Sequence, residues 1–111
     1  MAVTISVSDS SSDVWMVQNR VYSEFSRLVI ERNGHDPEVV NNLEMAEAFG
    51  GVSLDVVCKD QPDLAIRLRD AFRAVAEDIG CGAVTLPGAV PDDAAIRSKF
   101  SELSVLLGKF L

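Results

Sequence analysis

The sequence is poor in the side chains that most often carry chemistry. Its 111 residues include one histidine and two cysteines, and aromatic residues make up 6% of the chain. A single histidine excludes the paired-histidine motifs of zinc and di-iron sites, so a metal site would have to rely on carboxylates. Two isolated cysteines, Cys58 and Cys81, do not make a disulfide framework. We therefore expect no metal ion, no cofactor and no disulfide.

Long hydrophobic runs and an excess of basic charge are also missing. The longest uncharged apolar stretch, residues 80–91, contains two prolines and three glycines, and it is shorter than the roughly 20 residues that span a bilayer. Ten Lys and Arg against 17 Asp and Glu give a net charge of −7, which disfavours binding to nucleic acids and anionic membranes. The N-terminal segment lacks the features of a signal peptide. These absences predict a cytoplasmic protein that binds neither nucleic acids nor membranes.

The chain nevertheless has enough apolar residues for a core. Hydrophobic residues make up 48% of the sequence, and a chain of this length corresponds to one domain. No internal repeat divides it. We predict a single domain over residues 1–111.

Helical periodicity dominates the sequence. It predicts four helices, over residues 13–33, 37–49, 62–79 and 92–110. The first is inferred from a Ser/Asp cluster at residues 9–13, typical of a helix start, and from a wide apolar arc that includes Val14 and Trp15. The second has the clearest start, with Asp36 at the N-cap and Pro37 in the first turn. The predicted fold is mainly α, a compact four-helix domain.

Two segments alternate apolar and polar residues as a strand does. Residues 2–8 favour a strand, whereas residues 52–58 fit either a strand or a short helix that Ser53 caps and Pro62 ends. If both segments are strands, they would pair as a short ribbon supported by the helices. An α+β fold is therefore the alternative.

The acidic charge is concentrated in one segment. Residues 36–60 contain six acidic side chains and one lysine, and they can be either a solvated surface or a docking surface for a basic protein. The docking hypothesis predicts a non-enzymatic interaction module, such as an adaptor, an inhibitor or an immunity-type binder. Its candidate partner-binding residues, apolar anchors among carboxylates, are Glu38, Val40, Glu44, Met45, Glu47 and Phe49.

Two other functions remain open. The first is a homodimer built on the last helix together with the outlying apolar residues Met16, Ile30 and Val105. The second is a small enzyme or ligand-binding bundle with a pocket between the first and third helices. Its polar groups would come from Tyr22, His35, Arg69 and Arg73. With no catalytic motif in the sequence, we favour binding over catalysis and predict no catalytic residues.

Overall fold

A small three-stranded sheet organises the N-terminal part of the chain. The computed structural model describes residues 2–8, 13–84, 86 and 94–110. Strand β1 (Ala2–Ser6) lies in the centre, antiparallel to β2 (Val14–Gln18) on one side and parallel to the short β3 (Gly51–Ser53) on the other. The predicted pairing of residues 2–8 with residues 52–58 is therefore present in part, since Thr4–Ser6 pair with Gly51–Ser53.

The register of β1 and β2 separates an apolar face from an open face. Ile5 lies opposite Trp15, and both side chains are buried against the helices. Val14 and Met16, on either side of Trp15 in β2, point to the opposite face of the sheet, where they are exposed. This alternation is what a sheet covered by helices on one side requires.

The prediction of one helix over residues 13–33 is wrong at its start. Residues 14–18 form β2, and helix α1 covers Asn19–Arg32. The helical pattern placed Val14 and Trp15 on the same buried arc, whereas strand pairing buries Trp15 and exposes Val14. The local pattern fits the period of a helix as well as that of a strand, and pairing with β1 decides for the strand. Of the predicted capping cluster, residues 9–12 lie outside the described part.

The other helices follow the predictions closely. Helix α2 covers Pro37–Phe49 as predicted, and α4 covers Pro62–Gly80. Helix α5 covers Ala94–Gly108, while residues 92–93 of its predicted start lie outside the described part. Residues 52–58, predicted as either a strand or a short helix, contain both, because β3 is followed at once by helix α3 (Leu54–Asp60). The described part is thus mainly helical, with five helices rather than four and a β component.

Aromatic side chains join the sheet to the helical layer. Phe25 of α1 lies at the centre, with ring centroids 5.8 Å from Phe72 of α4 and 5.0 Å from Phe100 of α5. The Trp15 ring of β2 lies 5.3 Å from Phe100. After α5, Phe110 is also buried, and its carbonyl accepts a hydrogen bond from Arg69 of α4 at 3.0 Å. Side chains from β2, α1, α4 and α5 thus form one continuous core.

Gly51 permits the close approach of β1 and β3. A Cβ atom at this position would lie 2.4 Å from the Thr4 carbonyl oxygen. We expect Gly51→Ala to destabilise the fold by about 1–3 kcal/mol, the usual cost of overpacking, because the obstructing atom is backbone. Gly34→Ala is the control, since its Cβ would meet its nearest neighbour at an ordinary 3.6 Å. Denaturant unfolding measures both; equal stability of the two variants would contradict the β1–β3 packing.

Candidate functional site

Helix α2 carries all six residues predicted to contact a partner. Asp36 caps its start by accepting a hydrogen bond from the Val39 N–H at 3.4 Å. Its end is set by Gly50, whose φ of 86° lies in the left-handed region that glycine adopts at little cost. The side of the helix that carries Val39, Leu43 and Ala46 is buried. The remaining positions divide into two flanks and an outer surface.

One flank of α2 is tied to α4 by an ion-pair cluster. The guanidinium of Arg67 contacts the Asp36 carboxylate at 2.6 Å and Glu38 at 3.0 Å. The Arg67 hydrogen bond holds the pKa of Asp36 below its ordinary value, and the N–H of Val39 acts in the same direction. Glu38, predicted to meet a partner, is one of two carboxylates that share an arginine of the same chain.

The other flank of α2 faces α1. Ser23 of α1 donates a hydrogen bond to the Glu47 carboxylate, and Val40 on this flank is half-buried. Beneath them, the hydroxyl of Tyr22 donates to the Leu43 carbonyl at 3.3 Å. Burial raises the pKa of Tyr22 well above its ordinary value, so this hydroxyl stays protonated and acts as a donor. Glu47 thus forms a hydrogen bond between α1 and α2, and Val40 is partly covered.

Three of the predicted residues remain on the outer surface of α2. Glu44 is exposed, Met45 is 46% exposed and Phe49 is 80% exposed. Met45 and Phe49 are four positions apart, so their side chains lie one above the other on the helix. We refer to Glu44, Met45 and Phe49 as the α2 outer surface. This surface combines two large apolar side chains with a carboxylate that forms no ion pair among the described residues.

The polar residues predicted to line a ligand pocket do not meet. His35 contributes to a surface cleft of about 320 Å³ between the α1–α2 connection and α4, together with Arg32, Asp36 and Arg67. Tyr22 is buried under α2, as described above. Arg69 binds the Phe110 carbonyl, and Arg73 pairs with Glu77 at 3.0 Å. Of the four predicted residues, the cleft holds His35 alone.

A second surface feature, a groove between β2 and α5, was only partly predicted. It has a volume of about 460 Å³ and is lined by Val14 and Trp15 on one side and by Lys99, Glu102 and Val105 on the other. The dimer hypothesis singled out Met16 and Val105, which are 52% and 67% exposed. Ile30, the third residue of that hypothesis, packs against the core. The missed signal is the absence of charge from residues 14–18, which the helical interpretation obscured.

The Asp36–Arg67 pair predicts a pH dependence of stability. Because the pKa of Asp36 is lower in the folded chain than in the unfolded one, its contribution is present above the ordinary value of 3.8 and is lost as the pH falls through the lower folded value. Asp36→Asn keeps a good N-cap residue but removes the charge. We expect this variant to unfold at lower denaturant concentration than the wild type at neutral pH, and the two midpoints to converge in acid.

Asp60→Asn is the control, because Asp60 is exposed at the end of α3. Its midpoint should stay close to that of the wild type at every pH. If the wild type and Asp36→Asn differed by the same amount at neutral and acid pH, the ion pair would not be the source of the difference.

The described part of the chain contains neither a metal-binding cluster nor a membrane-spanning helix. In residues 2–8, 13–84, 86 and 94–110, no three His, Cys, Asp or Glu side chains are grouped so as to hold a metal ion. Among the helices described, none combines the length and the apolar character needed to cross a bilayer. Comparisons with protein families, with curated proteins and with solved structures found no match to this chain.

Proposed function

We propose that this chain is a non-catalytic protein-binding module of the cytoplasm, and that the α2 outer surface docks a basic protein partner. The observation that carries the proposal is the exposure of Phe49, at 80% the most exposed large hydrophobic side chain described. Burying a phenylalanine stabilises a complex by about 1.5–3 kcal/mol. Phe49, with Met45 beside it, is therefore suited to fill an apolar recess on a partner.

The charge around these anchors determines the kind of partner. Asp36 and Glu38 share the single positive charge of Arg67, while Asp55 lies 3.9 Å from Lys59. Glu44 has no such neighbour among the described residues, and its side chain projects about 100° around the helix from that of Met45. A lysine or arginine on the partner that faces Glu44 would gain from this carboxylate, and the chain's net charge of −7 would steer a basic protein towards it.

Photo-crosslinking in cells captures a partner whose identity is not yet established. The aromatic photo-crosslinker p-benzoylphenylalanine, placed at position 49, should form a covalent adduct with a basic protein. Placed at position 56, where Val56 of α3 is 56% exposed, it should not form that adduct. An adduct that forms equally from both positions would contradict docking through α2.

Phe49→Ala tests the anchor with the purified partner. We expect a loss of about 2 kcal/mol, the value typical of a hot-spot residue, which corresponds to roughly thirtyfold weaker binding. Val56→Ala removes an exposed apolar side chain from another helix and should bind as the wild type does. Isothermal titration of the three proteins measures the difference, and equal affinities would rule out Phe49 as the anchor.

Glu44→Lys tests the electrostatic part of the proposal. Reversing this charge should slow association and reduce its dependence on salt, because the attraction acts during the approach of the two proteins. Glu31→Lys makes the same change on the exposed side of α1 and should have a smaller effect. Stopped-flow association at several salt concentrations compares the two, and an equal effect would show that only net charge matters.

A further inference from the structure

One hydrogen-bonding edge of β2 has no strand beside it among the described residues, where its one neighbouring strand is β1. The Val7 N–H donates to the Asp13 carbonyl at 3.1 Å, so alternation along the antiparallel pair directs the N–H and C=O groups of Trp15 and Val17 towards β1. Those of Val14 and Met16 then point away from β1, as does the N–H of Gln18. The C=O of Gln18 begins the hydrogen bonding of α1, because Gln18 is the N-cap residue.

This edge lacks the features that usually prevent strand pairing. Exposed edges normally carry lysine, proline or a bulge, whereas β2 reads Val-Trp-Met-Val-Gln, without a charge or a proline. Its outward side chains are apolar as well, with Val14 39% and Met16 52% exposed. Covering β2 with another strand would therefore satisfy backbone groups and bury apolar surface together.

Helix α5 forms the far wall beside this edge. It runs antiparallel to β2: Lys109 lies 3.8 Å from Asp13 at one end, and the indole N–H of Trp15 donates to the Lys99 carbonyl at 2.8 Å further along. Val105, 67% exposed, faces the groove between the two elements. A strand added to β2 would cover this groove.

The charges of the groove distinguish it from the rest of the chain. A net charge of −7 makes two copies repel each other, but the groove is lined by Lys99, Lys109 and a single acid, Glu102. Lys99 and Glu102 lie on the same side of α5, one turn apart. Because this surface carries positive and negative charges one turn apart, the positive group of one copy can face the negative group of a second copy related by a twofold axis.

We propose that β2 pairs with β2 of a second copy of this chain, antiparallel and centred on Met16, to give a continuous six-stranded sheet. In this register the two Met16 residues exchange N–H to C=O hydrogen bonds, and each Gln18 N–H donates to the Val14 C=O of the other copy. Lys99 and Glu102 line the groove beside this edge, so each copy brings both signs of charge to the interface. The interface is separate from the α2 outer surface.

The size of the interface requires α5 as well as β2. A standard interface takes ~800 Å² from each partner, about one seventh of the accessible surface of 5845 Å². A five-residue strand spans only about 17 Å. The groove wall that includes Val105 supplies the additional contact.

Sedimentation equilibrium at tens of micromolar tests the dimer, with Met16→Lys as the disrupting variant. We expect the wild type to have twice the mass of the chain and Met16→Lys to have the mass of one chain. Met45→Lys is the matched control, because Met45 is similarly exposed but lies on α2, and it should remain dimeric. Circular dichroism checks that all three proteins are folded. A monomeric wild type, or a Met16→Lys protein that remains dimeric, would overturn the proposal.

Disulfide trapping tests the register in a background where Cys58 and Cys81 are replaced by serine. Directly opposed residues in the proposed pair have Cα atoms about 5.5 Å apart, within the range that a disulfide bridges. Met16→Cys should therefore form a covalent dimer on mild oxidation. Val14→Cys faces Gln18 of the second copy rather than itself and should form severalfold less. Equal trapping from both positions would contradict a pair centred on Met16.

Discussion

The indole of Trp15 holds the sheet and the helices together. Its ring lies 6.4 Å from Phe25 of α1 and 5.3 Å from Phe100 of α5, and its N–H binds the Lys99 carbonyl. The ammonium of Lys99 lies over the same ring at 5.9 Å. These contacts require Trp15 to point inwards from an extended backbone opposite Ile5. The packing of α1 and α5 against the sheet therefore depends on β2 being a strand.

The acidic segment does not form one continuous negative surface. Arg67 pairs with Asp36 and Glu38 and so joins α2 to α4, whereas the Glu47 carboxylate joins α2 to α1. These carboxylates act in helix packing, which neither the solvated-surface nor the docking hypothesis anticipated. What remains for a partner is narrower, namely Glu44 with Met45 and Phe49.

Helices α2 and α4 were predicted because the signals that define them lie within the helices themselves or at their ends. Asp36-Pro37 and Gly50 set both ends of α2, and the apolar stripe of α4 needs no partner to be recognised. The start of α1 was missed because the apolar residues around Trp15 fit a helix as well as a strand, and only pairing with β1 decides between them. The ion pair of Glu38 with Arg67 was not predicted, because it joins residues 29 positions apart and no local pattern reveals it. The exposure of Phe49, by contrast, followed from its position on the polar side of α2.

Strand β2 has one edge bonded to β1, and in the proposed dimer its other edge binds a second copy. Amide hydrogen exchange, followed by NMR at several protein concentrations, tests it most directly. We expect the N–H groups of Trp15 and Val17 to be protected at every concentration, and that of Met16 to become protected only as the concentration rises. Exchange at Met16 that is independent of concentration would contradict the proposed pairing, as would equal protection of residues 15–17 at the lowest concentration.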